Sequence, residues 1–159
     1  MVEVGEKASE FTLYDFDKNE RRLADFLGKG RKTILAFYPG AFTGVCTKEL
    51  CTFRDSLGEL QKLNAQIIGI SVDSPFANKA FAEKNGINFL LLSDFKREVV
   101  QKYDVVWNSL GGVNGYDTAN RAIFILDDKG TVKYKWVAPN PGVEPDYEEI
   151  KAQLNLNKN

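Results

Sequence analysis

Histidine is absent from all 159 residues, and cysteine occurs only twice. The missing imidazole excludes a Ser-His-Asp triad, a Cys-His nucleophile pair and any metal site that needs a histidine ligand. Two cysteines alone make a poor zinc site. Neither sign of charge dominates: 21 Lys and Arg face 22 Asp and Glu, a net charge of −1. No strong field therefore draws the chain to nucleic acid or to an anionic membrane. No apolar run approaches the roughly 18 residues of a membrane span. The first residues, Met1 to Lys7, lack the basic and apolar regions of a secretion signal. The expectation is an intracellular, cytoplasmic and reducing setting. There, two close cysteines are more often catalytic or metal-binding than structural.

The apolar fraction of 43% and charged fraction of 27% are those of an ordinary globular domain. With no repeat and no Pro/Gly/Ser linker, residues 1–159 read as a single domain. Residues 11–14 and 20–23 are expected to form an N-terminal β-hairpin. Residues 33–38 form a continuous apolar run, as in a strand covered on both faces. Leu50, Phe53, Leu57 and Leu60 recur at helical spacing and predict one helix to about Leu63. Residues 67–72 predict a second buried strand, completing a βαβ unit. A helix is expected from Pro75 to about Lys84, a strand over 89–92 and a helix over 95–103. Residues 122–126 and 131–137 flank Asp127-Asp128-Lys129-Gly130, a hairpin signal. A last helix is expected over 146–154. The fold class that follows is α/β, a thioredoxin-like arrangement with a central mixed β-sheet flanked by helices.

Both cysteines fall in residues 39–51, between the first buried strand and the first helix. In open α/β sheets, ligands bind beyond the carboxyl ends of the parallel strands. If the helix starts near Gly44, Cys46 lies in its first turn, where free backbone N–H groups and the helix dipole favour a thiolate. Thr43 is either the N-cap or a hydroxyl that contacts substrate. Pro39 lacks a backbone donor and fixes the turn leaving the strand. With no histidine, the cation must be Arg or Lys. The strand that opens at Arg121 is expected to run antiparallel to the 33–38 strand. That topology brings Arg121 to the edge where Cys46 sits, and its forked donors suit both a thiolate and a substrate oxygen.

Cysteines five apart on one helix have Cα atoms roughly 8.7 Å apart, beyond the roughly 7 Å reach of a disulfide. A bond between them requires the first helical turns to unwind. Cys51 falls outside the Leu50/Phe53/Leu57 stripe, which weakens its reading as core filler. Simple packing is the alternative for each cysteine. Gly111-Gly112-Val113-Asn114-Gly115 lacks the spacing of a dinucleotide-binding loop and reads as a loop that walls the site or serves an interface. Trp107 and Trp136 read as core or rim residues. A thiol–disulfide oxidoreductase would normally use C-x-x-C and would not need the arginine. A non-catalytic chaperone would need neither cysteine.

The sequence P-x-x-x-T-x-x-C at Pro39, Thr43 and Cys46, with Arg121 opening a hydrophobic strand, resembles the active-site pattern of the peroxiredoxin family. The resemblance runs from the N-terminal hairpin to the strand holding Trp136. Residues 46–55 are similar to the bacterioferritin-comigratory-protein class, also called the Q class. It implies a thiol-dependent peroxidase acting on hydrogen peroxide and organic hydroperoxides. In such an enzyme Cys46 becomes a sulfenic acid, Thr43 and Arg121 bind the peroxide, and Pro39 shields the sulfur. Cys51 then closes a disulfide with Cys46, which a thioredoxin-like or other dithiol reductant resets. A one-cysteine mechanism with an external thiol is the alternative. The resemblance implies no metal, haem or other cofactor. The expected partners are a peroxide and a dithiol, with no nucleic acid and no membrane, in a monomer or homodimer.

Overall fold

The N-terminal hairpin forms from β1 (Thr12–Asp15) and β2 (Glu20–Arg22). The structure is a computed structural model that describes residues 2–156. Asp15 organises the turn: its carboxylate accepts the N–H groups of Asp17 and Asn19 at 2.8 and 3.0 Å and pairs with Arg21 at 2.8 Å. A short 3-10 turn at Leu23–Phe26 leads to β3 (Lys32–Phe37), all six residues of which are buried. The helix that follows is split. α1 (Gly44–Asp55) and α2 (Leu57–Lys62) meet at Ser56, whose ψ of 1° leaves the helical region. Ser56 and Gly58 are both weak helix formers, so the single helix expected to Leu63 breaks there.

β4 (Ala65–Ser71) precedes α3 (Pro75–Asn85), whose ends follow the sequence chemistry. The Ser74 hydroxyl accepts the Ala77 N–H at 3.1 Å, Pro75 opens the first turn and Gly86 closes it at φ 61°. β5 (Leu90–Ser93) then leads to α4 (Glu98–Lys102), shorter than the helix expected over 95–103. Arg97 sits at φ 62°, and the buried Asp94 carboxylate accepts the N–H groups of Val99 and Val100 at 3.2 and 2.8 Å. The helix therefore starts where an outside acceptor caps it. β6 (Val106–Trp107) pairs antiparallel with β7 (Thr118–Ala119), a ribbon too short to leave a periodic signal. β8 (Ala122–Leu126), β9 (Val132–Val137) and α5 (Tyr147–Leu156) complete the chain.

The sheet order is β2-β1-β5-β4-β3-β8-β9, with β3, β4 and β5 parallel and the flanking strands antiparallel. This is the expected mixed, thioredoxin-like α/β sheet. Alternate residues of β3 enter two cores. Leu35 and Phe37 pack toward α4 with Phe124, Val99 and Tyr103. Ile34, Ala36 and the following Tyr38 pack toward α1, α2, α3 and α5, with Cys46, Leu50, Phe53, Phe81 and Leu154. Among the described residues, no helix is long and apolar enough to cross a membrane. Both tryptophans are half-buried, as rim residues are.

Gly69 marks the tightest crossing in β4. A Cβ there would lie 2.7 Å from Leu91 Cδ2 and 3.1 Å from Tyr38 Cε1. Gly69→Ala is expected to cost about 1–3 kcal/mol through overpacking, measured as a lower denaturation midpoint. An unchanged midpoint would mean that Leu91 and Tyr38 move freely.

Candidate active site

β3 delivers the chain to Tyr38, Pro39 and Gly40, all buried, at the carboxyl edge of the parallel strands. α1 then begins at Gly44, so Cys46 lies in its first turn, with no exposed surface. Thr43 is the backbone N-cap, at φ −83° and ψ 152°, but its side chain caps no N–H. Its hydroxyl instead donates to Gly40 O at 2.8 Å and lies within hydrogen-bond reach of the Cys46 sulfur. Of the two roles left open for Thr43, the side chain does not take that of capping an N–H.

The register of β3 and β8 places Arg121. Phe37 pairs with Ala122, so Arg121 lies one step beyond, level with the start of the cysteine loop. Its Nη2 donates to Cys46 Sγ at 3.1 Å across 75 residues of sequence. Nη1 donates to Glu49 Oε1 at 2.8 Å. Nε and Nη2 both reach the Pro141 carbonyl, at 3.1 and 2.8 Å. Asn120 steadies the strand's entry by accepting the Arg121 N–H and donating to Ala138 O, each at 2.8 Å. The guanidinium is 1% exposed and Glu49 is not exposed at all.

A surface pocket opens onto this group. Pro39, Thr43 and Val45 line it from the loop and α1, Arg121 from just before β8, and Pro141 from the segment after β9. Leu110 and Gly111 close it, so the glycine-rich loop does wall the site. The pocket thus gathers Pro39, Thr43 and Arg121 beside Cys46. Cys51 is set apart. It is a free thiol on the same unbroken helix, half-buried against the core side of α1. That contact is closer to the core than the helical wheel implied.

Electrostatics modify the helix-start argument. Burial pushes the Cys46 thiol above its ordinary range, while Arg121, the Thr43 hydroxyl and Gly40 pull it down. The net direction is upward, because the sulfur gives up water before any substrate arrives. Glu49 is pushed to about 7 by burial, with Arg121 opposing. Its Oε2 has no hydrogen-bond partner, which leaves half of the carboxylate uncompensated. Arg121 remains charged, held so by Glu49 and Cys46.

Glu49 is the site residue that sequence reasoning missed. A signal was present: Glu49 lies three residues after Cys46, on the buried face with Leu50 and Phe53. A carboxylate on a buried stripe demands a cation. The Pro141 carbonyl left no such signal, because any residue carries one.

Residues 4–135 match the model of the AhpC/TSA family. The chain belongs to the AhpC/TSA family. It is 37% identical over 153 residues to a putative peroxiredoxin bcp of Coxiella burnetii, covering 96% of this chain and 99% of that one. It is 35% identical to peroxiredoxin Bcp of Escherichia coli K12, covering 84% of each. Among solved structures, peroxidoxin BcpB of Mycobacterium tuberculosis superposes with a TM-score of 0.85 at 28% identity, over 98% of each chain. As an AhpC/TSA-family peroxiredoxin the chain is a peroxidase oxidoreductase, and its chemistry is thiol-dependent.

Two titrations test the charge cluster. A carboxyl whose pKa is raised in the folded state binds its proton more tightly there than in the unfolded chain. Stability then falls as pH rises from about 4.5 to about 7. Glu49→Gln is expected to remove that part of the slope, read by denaturation at several pH values. Arg121→Lys keeps the charge but not the fork. It should move the pH midpoint of Cys46 alkylation upward, since one ammonium cannot serve Glu49, Pro141 and the sulfur together. An unmoved midpoint would show that Arg121 does not stabilise the thiolate.

Proposed function

We propose that this chain reduces hydrogen peroxide and organic hydroperoxides to water and alcohols, with Cys46 as nucleophile. The observation that carries the reading is the 3.1 Å contact between Arg121 Nη2 and Cys46 Sγ at the base of the pocket. The Cys46 thiolate attacks one peroxide oxygen and the O–O bond breaks. The sulfur keeps that oxygen as a sulfenic acid, and the other oxygen leaves as water or alcohol after taking a proton. Arg121 and Thr43 are aimed where charge develops on the peroxide. Pro39, with no N–H to offer, lines the pocket without competing for the substrate oxygens.

Cys51 is the proposed resolving thiol. Its thiolate attacks the sulfenic sulfur, the S–S bond forms and water leaves. A thioredoxin-like or other dithiol then reduces the disulfide. Residues 1–159 act as one thioredoxin-like domain in this scheme, as a monomer or homodimer. The proposed setting is a reducing cytoplasm, which keeps both thiols reduced between turnovers. The one-cysteine alternative draws on the unbroken helix between Cys46 and Cys51, which keeps the two thiols apart until it opens.

Cys46→Ser is expected to abolish thiol-dependent peroxide consumption, and full retained activity would refute the assignment. After one equivalent of peroxide, peptide mapping of the unmodified chain should find Cys46 linked to Cys51. A stable sulfenic acid beside a free Cys51 would establish the one-cysteine mechanism instead.

A further inference from the structure

The loop over residues 39–43 carries one residue in an unfavourable conformation. Phe42 sits at φ 66°, the left-handed region that an aromatic residue rarely adopts. Its ring is 53% exposed and touches Phe81 of α3 edge-on, at a centroid distance of 5.3 Å. The Thr43–Gly40 hydrogen bond lies within the loop and fastens it to nothing else. The Ala41 N–H donates to Asp73 Oδ2 at 2.8 Å, which ties the middle of the loop backbone to the turn after β4.

Asp73 is itself rigidly mounted. It follows β4 on the turn into α3. Its Oδ2 also accepts the Ser71 hydroxyl at 2.8 Å, and its N–H donates to Ser71 Oγ at 3.2 Å. Its carbonyl accepts the hydroxyl of Ser93, at the end of β5. Asn78 of α3 accepts the Tyr38 hydroxyl at 2.8 Å, which joins the same corner to the end of β3. Asp73 therefore links the ends of two parallel strands, β4 and β5, to the backbone of the loop that leads into Thr43 and α1.

We propose that Asp73 is a positioning residue that latches this loop in its peroxide-binding form and sets how readily the first turns of α1 release Cys46. The latch opposes two tendencies: relaxation of Phe42 out of the left-handed region, and unwinding of a helix whose N-cap side chain caps no N–H. A charged acceptor makes the stronger kind of hydrogen bond, so the strength of the latch depends on the carboxylate. The consequence for turnover rests on the reading that Cys51 resolves. A tight latch prolongs the sulfenic acid and exposes it to a second peroxide, whose oxygen converts it to sulfinic acid. A loose latch lets Cys51 arrive first.

The test separates the latch from the role of Cys51. In a Cys51→Ser background, reduced Cys46 is labelled with a bulky maleimide that cannot reach the buried sulfur until the loop opens. Adding Asp73→Ala should accelerate labelling on the order of tenfold, the usual worth of a hydrogen bond to a charged group. Asp73→Asn keeps a neutral acceptor and should accelerate it about threefold, within the range of an ordinary hydrogen bond. If the alanine variant does not fold, the asparagine variant alone decides. Unchanged labelling overturns the proposal, as does acceleration matched by an equal loss of global stability in denaturant. With Cys51 restored, Asp73→Ala should lower the ratio of sulfinic acid to Cys46–Cys51 disulfide at excess peroxide, and an unchanged or raised ratio overturns it. Absence of any such disulfide in the unmodified chain refutes the resolving role of Cys51 and leaves the labelling result to judge the latch.

Discussion

A guanidinium taken out of water must find a partner for each face of its fork, and in this fold Arg121 does so by joining its own strand to two other parts of the chain. Glu49 and Cys46 come from α1 and the Pro141 carbonyl from the segment after β9. Leaving a buried charge of this kind unpaired costs several kcal/mol. The pairing therefore fixes the depth of Arg121, the rotation of α1 and the course of residues 138–142 over the pocket. The walls of the site and its electrostatics follow from one constraint.

That constraint creates a chemical tension. One cation serves two acidic groups, both carried on the same buried face of α1. The burial that holds Arg121, Glu49 and Cys46 together also raises the cost of ionising Glu49 and Cys46. A neutral thiol beside an ionised carboxylate and a thiolate beside a neutral carboxyl carry the same net charge around Arg121. Proton movement between those two states leaves the buried cluster electrically unchanged, which limits the cost of forming a thiolate there. A second tension is mechanical. The pocket needs α1 wound to its first residue, whereas a Cys46–Cys51 bond needs those turns open. Asp73, Phe42 at positive φ and the start of α1, whose N-cap side chain caps no N–H, all lie where those two demands meet.

Much of this was legible in the residues. The apolar run of β3, the Ser74–Pro75 start and Gly86 stop of α3, and the Asp127–Gly130 hairpin are local signals with local causes. The approach of Arg121 to Cys46 was also legible, because an antiparallel strand that starts where a parallel strand ends must bring their termini together. The early end of α1 at Ser56 and the late start of α4 were less legible. The first turns on a weak local preference, and the second on Asp94 capping N–H groups from outside the helix. The β6–β7 ribbon was too short for any periodicity. Glu49 was readable in principle from its place beside Cys46 on a buried stripe.

By itself the sequence determined the main strands and helices, their order around the cysteine loop and the five-residue spacing that separates the two thiols. Those properties depend on near neighbours: side-chain periodicity, turn residues and helical rise. The tertiary structure alone decided that Glu49 and Pro141 share Arg121 with Cys46, that Thr43 turns its hydroxyl into the site, and that Asp73 holds Ala41. It also decided the direction in which burial drives the thiol. Apart from the Thr43 hydroxyl, these depend on strand register and on exclusion of water by groups 20 to 75 residues apart. No local pattern carries desolvation, because it arises only when distant segments close over the same atom.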